Sequence, residues 1–410
     1  MITSESSNIL STKINSLSSL YVEDELTTNI ATINSFDSNS SSESHEDSLN
    51  ILESNSSTEL PSTADNVNPN PFFSDVRLVA DFNGDGKTDE FWRNTETGEN
   101  AVWLMDGSNV NGNYLAELGA EWDLRFGDFN NDSRTDIFWR NTQTGENLIW
   151  IMDGNRVGRQ ISLQNIDSSW DYAIVDFNGD GYSDVFWRNT QNGENASWLM
   201  KEGVIETAAF LETTDVSWEF DIVDFNGDNK SDIFWRNRAA GENEVWFMNG
   251  VDSNESTISD RNSEWNYVLG DFNNDSYTDI LWRNEVTGEN SVWLMSGTLY
   301  LGADVDSLGT SWQPSIGDFN GDGKTDVFWH NEVTGENTAW LMDGTSINTS
   351  AFLPANNPSL QTDIGDYDGD GKTDVLWHNP ETGENTIWFM NGTTASEVEI
   401  VSTSPGWRMI

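Results

Sequence analysis

From Glu90 onward, short hydrophobic runs alternate with polar, glycine-bearing turns at a fixed period. The stretch "DFNGDGKTDVFWHNEVTGENTAWLMDG" from Asp318 to Gly344 shows one cycle, in which a polar loop is followed by two tryptophan-bearing runs around "TGEN". Runs this short, rich in aromatic and β-branched residues and bounded by Gly and Asn, predict strands; no sustained 3.6-residue periodicity predicts a helix. The pattern Asp-aromatic-(Asn/Asp)-x-Asp begins at Asp81, Asp128, Asp176, Asp224, Asp271, Asp318 and Asp366, in steps of 47, 48, 48, 47, 47 and 48 residues. Each unit reads as a first strand ending at the leading Asp, a second through "DIFWRN" and its variants, a third through "ENLIWIM" and its variants, and a more variable fourth. Such a period predicts an all-β fold, a seven-bladed β-propeller of four-stranded blades. Gly in "TETGEN" supplies the positive φ of a tight hairpin between the second and third strands. That hairpin makes Trp92 and Trp103 a facing cross-strand pair, and seven such pairs supply most of the packing between blades.

A third tryptophan precedes the leading Asp by six residues at Trp122, Trp170, Trp218, Trp265 and Trp312; Leu360 and Asp75 stand there in the seventh and first units. The chain ends in "PGWRMI", so Trp407 begins a truncated copy of the first strand. Residues 406–410 are therefore expected to dock beside Val76–Ala80 and close the ring.

Composition divides the chain at about residue 70. Residues 1–70 are rich in Ser, Asn, Thr and acid, and all 20 tryptophans lie after residue 90. A segment with so little to bury is expected to be a disordered tail, leaving 71–410 as the propeller. The balance of 70 Asp+Glu against 19 Lys+Arg, a formal charge of −51, is the wrong sign for nucleic acid and the right one for cations. There is no cysteine, so disulfides play no part. No apolar run is long enough to span a membrane as a helix, and "MITSESSNILSTKINSLSSL" has neither the basic start nor the apolar core of a signal peptide.

The polar loops carry the candidate chemistry. In the first unit, oxygen-bearing side chains stand at positions 1, 3, 5 and 9 (Asp81, Asn83, Asp85 and Asp89), and position 7 can add a main-chain carbonyl. Hard oxygen donors alternating along a tight loop suit calcium; magnesium keeps more water, and the nitrogen and sulfur donors preferred by zinc or copper are missing. An EF-hand would need flanking helices and a glutamate at position 12, whereas here the flanks read as strands and the last acid is at position 9.

This loop between strands, with the wording "DFNGDGKTD…FW.N..TGEN..WLM", resembles the FG-GAP/VCBS-type repeat of integrin alpha-chain propellers and bacterial surface proteins, with the cyanobacterial VCBS type most similar. The resemblance covers about residues 75–410 and implies one Ca2+ per blade, up to seven. Carried onto this chain, the implied ligands are Asp81, Asn83, Asp85 and Asp89 with the Lys87 carbonyl, followed by Asp128, Asn130, Asp132 and Asp136 with Arg134. The third and fourth sets are Asp176, Asn178, Asp180 and Asp184 with Tyr182, and Asp224, Asn226, Asp228 and Asp232 with Lys230. The fifth and sixth are Asp271, Asn273, Asp275 and Asp279 with Tyr277, and Asp318, Asn320, Asp322 and Asp326 with Lys324. The seventh is Asp366, Asp368, Asp370 and Asp374 with Lys372. Its acid at position 3 predicts the tightest site. Ser133 and Ser276, in place of glycine at position 6, predict the two weakest.

Other repeated residues have a structural and a functional reading. The fourteen tryptophans of the second and third strands read as inter-blade core before sugar platforms. The Arg/His position (Arg93, Arg140, Arg188, Arg236, Arg283, His330, His378) reads as a structural ion pair with the "GEN" glutamates before a repeated polar pocket. His330 and His378 on adjacent blades offer a transition-metal alternative. No nucleophile–base constellation or phosphate loop is visible, so no enzyme activity is predicted. Selectivity is expected in the stretches that vary, near 107–120, 154–168, 202–216, 250–263, 297–310, 344–358 and 392–404, with Tyr114, Phe210, Tyr300 and Phe352 as candidate contacts. The expected function is a calcium-stabilised, monomeric ring outside the cell or on its surface. It binds a surface protein in adhesion, with a multivalent lectin or a structural envelope component as the alternatives.

Overall fold

The computed structural model describes residues 80–410; the expected tail over 1–70 and residues 76–79 lie outside them. The described residues form seven four-stranded antiparallel sheets arranged as the blades of a propeller, with no helix among them. In the second blade the strands are Trp122–Gly127, Asp136–Asn141, Asn147–Met152 and Val157–Leu163, and their order in the sheet is their order in the chain. The second strand is buried along its whole length, because both of its faces meet neighbouring blades. The fourth is polar and mostly exposed, at the outer edge.

The first blade is assembled from both ends of the chain. Trp407–Met409 pairs antiparallel with Glu90–Asn94, ahead of Asn100–Asp106 and Asn109–Leu115. Trp407 lies opposite Asn94 as Trp122 lies opposite Asn141, so the C-terminal strand does copy a first strand. Its sheet partner is Glu90–Asn94; of the expected neighbour Val76–Ala80, only Ala80 is among the described residues. Ile410 N–H reaches Phe91 O at 3.2 Å, and Ala80 takes up the same edge further on, accepting from Asp89 N–H at 2.5 Å. Ile410 and Ala80 thus both bond to the backbone of the segment that runs from Asp89 through Phe91.

The tryptophan pairs recur in every blade, with ring centroids 4.8–5.2 Å apart. They are diagonal rather than directly opposite, since Trp103 pairs with Glu90 and Trp92 with Ala101. The hairpin register sets this offset, and indole rings are long enough to span it. Each pair packs against the preceding blade: Trp139 and Trp150 cluster with Phe91 and Val102, and Trp92 and Trp103 cluster with Leu376 and Ile387 of the seventh blade. The core reading of these residues therefore holds.

The Arg/His position does not form the expected ion pair. Arg93 donates to Asn100 Oδ1 at 2.6 Å and to the carbonyls of Gly119 and Trp122 at 2.7 and 3.0 Å, while Glu99 accepts from Thr97 Oγ1 at 2.8 Å. Side chains alternate along a strand, so the partner is the asparagine of "GEN", on the buried side, and the glutamate turns outward. The guanidinium also lies over the next blade's inner tryptophan, 4.6–5.0 Å from its centroid in the five arginine blades. His330 and His378 take the same place against Trp377 and Trp92. His378 is already engaged at both ring nitrogens, by Asn385 Oδ1 and Trp407 O.

Candidate metal centres

In six blades the polar loop joins a first strand to a second, and in the first blade it leads from Ala80 into Glu90–Asn94; each loop is built around its two terminal aspartates. Asp81 accepts main-chain N–H bonds from Gly84, Asp85 and Gly86 at 2.7, 3.1 and 2.8 Å. Asp366 does the same with Gly369, Asp370 and Gly371. To turn those amides inward, the chain adopts positive φ at positions 4 and 6 of all seven loops, between 55° and 83°. Gly meets this without strain, but the loops at Asp128 and Asp271 must do it with Asn131 and Ser133, and with Asn274 and Ser276. There the bond from position 4 is replaced by a longer one from position 3, at 3.3 Å.

The position-9 carboxyl lies beneath the loop. Asp89 accepts from Phe82 N–H at 2.8 Å and from Met105 N–H at 2.9 Å, tying the loop to the third strand. The bond from the third-strand methionine recurs in every blade, at 2.7–2.9 Å. Burial, only partly offset by these bonds, pushes all seven position-9 carboxyls up to about 7. In the fourth blade, Asp232 Oδ2 is buried without any hydrogen-bond partner.

Positions 3 and 5 sit above. In four loops the asparagine at position 3 turns its amide to the position-5 carboxylate, as Asn130 does to Asp132 at 3.1 Å. In the seventh loop, where position 3 is an acid, carboxylate oxygens of Asp366, Asp368 and Asp374 all lie within 4.8 Å of one another. Asp370 instead holds Lys372 Nζ at 2.6 Å. Other position-7 side chains turn aside: Lys87 pairs with Asp106, Arg134 Nη1 reaches Asp153 at 3.4 Å, Tyr182 Oη reaches Glu202 at 3.3 Å, and Lys324 Nζ reaches Asp343 at 2.6 Å. Only the main-chain carbonyl at position 7 is left as a ligand.

A carboxyl whose ionisation is suppressed by burial and by the neighbouring carboxylates, under an all-oxygen donor set, fits a hard divalent cation.

Position 8 also matters, although the sequence reading passed over it. It is Thr88, Thr135, Ser183, Ser231, Thr278, Thr325 or Thr373, always a hydroxyl residue. Thr135 N–H donates to Asp81 O and Asp81 N–H to Thr135 Oγ1, both at 2.8 Å, so one loop is tied to the loop of the previous blade. The double bond recurs up to Asp318 and Thr373. At closure Thr88 N–H reaches Asp366 O at 2.8 Å, while Thr88 Oγ1 is buried without a partner. An invariant Ser/Thr before the last Asp was the available signal.

Of the proposed contact aromatics, Tyr114 and Phe352 are about 70 % exposed, at 71 % and 72 %. Tyr300 stacks on Trp293 at 3.9 Å, and Phe210 is half-buried beside Trp170.

The FG-GAP-like repeat family matches residues 81–139, 128–187, 224–282, 271–329 and 318–377, each segment running from one loop to the inner tryptophan of the next blade. No curated protein sequence matches the chain. Among solved structures, a lectin of Agrocybe aegerita that recognises non-reducing terminal N-acetylglucosamine is similar, at 12% identity and a TM-score of 0.64 over 77% of this chain and 90% of that one. A functionally unknown protein of Desulfotomaculum acetoxidans is similar over 78% of this chain and 98% of that one, at 12% identity and a TM-score of 0.45. At such identities the likeness is one of fold. The repeat match, over more than half of the chain and on the same loops, goes further: the chain belongs to the FG-GAP repeat family of β-propellers.

Proposed function

We propose that the protein is a calcium-loaded propeller serving as a binding module outside the cytoplasm, without catalysis of its own. The observation that carries this reading is the buried position-9 carboxyl, repeated seven times, which burial holds near 7 under a loop of oxygen donors. Positions 1, 3, 5 and 9 with the position-7 carbonyl would hold the ion, and water would complete the shell. A bound calcium would supply the charge that lets the carboxyl ionise and would cross-link three segments of each blade. Sites of the extracellular class bind at about 10⁻⁴–10⁻³ M, so millimolar calcium contributes about 0.4–1.4 kcal/mol per site. Seven such sites together contribute about 3–10 kcal/mol, comparable with the stability of a whole domain. Submicromolar calcium would leave them empty, which favours an extracellular or surface location. Equilibrium dialysis of calcium against the full chain tests the reading, with a stoichiometry near seven expected and zero contradicting it.

Glycan recognition is the second reading. It is favoured by the fold shared with the Agrocybe aegerita lectin, and it competes with protein adhesion and with a purely structural role.

A further inference from the structure

At the junction of the seventh and first blades lies a cavity of about 580 Å³, floored by Trp103 and walled by Tyr114, Trp407 and the segment around Thr403. Three small residues, Ala101, Gly112 and Thr403, are part of its lining. The strand partner of Trp103 is Gly112, where Trp150 has Gln160, Trp246 has Glu255 and Trp388 has Glu397. Thr403 N–H bonds to Gly383 O just as Leu118, Ile166 and Leu308, all bulkier, bond at their own junctions; Thr214 takes the same place before the fourth blade, but there Glu244 and Glu255 stand in the places of Ala101 and Gly112. Ala101 occupies the place of Leu148, which packs against the second-blade core together with Leu118. Trp103 is accordingly 9 % exposed, against 1–4 % for the six equivalent tryptophans.

The fifth blade shows what such a space accepts. There Gly302 again faces the tryptophan, but Tyr300 stacks on Trp293 at 3.9 Å. Arg261 lies 4.8 Å from the same ring and donates to Ser291 Oγ at 3.1 Å. The chain thus fills that junction with its own flat groups and a hydrogen bond. In the first blade, Tyr114 instead stands 71 % exposed, 5.7 Å from Trp407.

Among the described residues no charged side chain lines the cavity, in a chain carrying −51; hydroxyls and amides such as Ser402, Ser404, Asn109 and Asn113 do. An aromatic floor under an uncharged hydrogen-bonding rim suits a ring with an apolar C–H face and hydroxyls at its edge, and the volume is that of a small-ligand pocket. We propose that this junction is a single binding site for a neutral saccharide. The proposal deepens the glycan reading above and rests on it, replacing seven equivalent pockets with one.

The test uses the full chain in millimolar calcium, on a glycan array and then by titration with the best saccharide. Gly112→Gln and Thr403→Leu install residues that other junctions already carry, while Ser350→Gln makes the change equivalent to Gly112→Gln at the sixth blade. The expected result is one saccharide per chain, with affinity lowered at least ten-fold by each of the first two variants and unchanged by the third. Thr403→Leu keeps the test decisive if Gly112→Gln, which crowds Trp103, does not fold. Stoichiometry near seven, or binding indifferent to both variants, would overturn the single site while leaving a lectin. A blank array from protein that still melts higher with calcium than with chelator would overturn the saccharide assignment and leave the calcium reading standing.

Discussion

Asp81 and Thr135, in neighbouring blades, bond to each other twice, main chain to main chain and main chain to hydroxyl, both at 2.8 Å. Asp81 is also the residue whose carboxylate gathers the amides of its own loop. A cation held by one loop would therefore brace the next, and bound cations would be coupled around the ring through these bonds.

Thr135→Val removes the hydroxyl and leaves Asp81 N–H unpaired. We predict a loss of about 1–3 kcal/mol in denaturant unfolding. Calcium titration of the variant should also be less cooperative, whereas an uncoupled loop would leave the calcium curve unchanged.

Backbone strain should rank the loops as calcium sites. Ser133 and Ser276 hold φ of 63° and 69°, a region in which a side chain costs about 1–2 kcal/mol. Ser133→Gly and Ser276→Gly should each raise stability by about 1 kcal/mol and tighten calcium at their own loops. A crystal grown in limiting calcium should show these two loops filled last and the one at Asp366 filled first; the reverse order would contradict the ranking.

The pH dependence follows from the position-9 carboxyls. Without metal they sit near 7 in the folded chain, above the value of about 3.9 expected in the unfolded chain. Between those values the folded state binds more protons, so this contribution is full below about pH 4 and is lost as pH rises through 7. In chelator, the melting temperature should fall from pH 5 to pH 7.5. In millimolar calcium the ion replaces the proton and that fall should vanish. Parallel profiles with and without calcium would remove the position-9 carboxyl from the site.

Ring closure gives a further prediction. Trp407 is 5 % exposed and sits in the core shared by the seventh and first blades. Trp407→Ala should cost about 3–5 kcal/mol, with hydrogen exchange rising first in Glu90–Asn94, its strand partner. Exchange spread evenly over all blades would argue against a closure made there.

Much of this was legible in the repeat itself. A 47–48-residue period and paired tryptophans implied blade number and inter-blade core, because residues of the same role recur at the same offset. The features that escaped depend on direction and register. Trp92 and Trp103 meet diagonally because Trp92 is registered with Ala101. Arg93 finds Asn100 rather than Glu99 because adjacent residues point to opposite faces. The hydroxyl of Thr135 acts on a loop 54 residues away, a relationship that exists only once the blades stand side by side. The cavity over Trp103 is likewise a coincidence of Ala101, Gly112 and Thr403, which are distant in sequence.

The most direct test of the account is thermal unfolding of the full chain in millimolar calcium and again in excess chelator, at pH 7.5. Seven loops whose buried carboxyls need a counter-charge predict a large fall in melting temperature, or no folded ring at all, once calcium is withdrawn. The same melting temperature in both conditions would contradict the central claim.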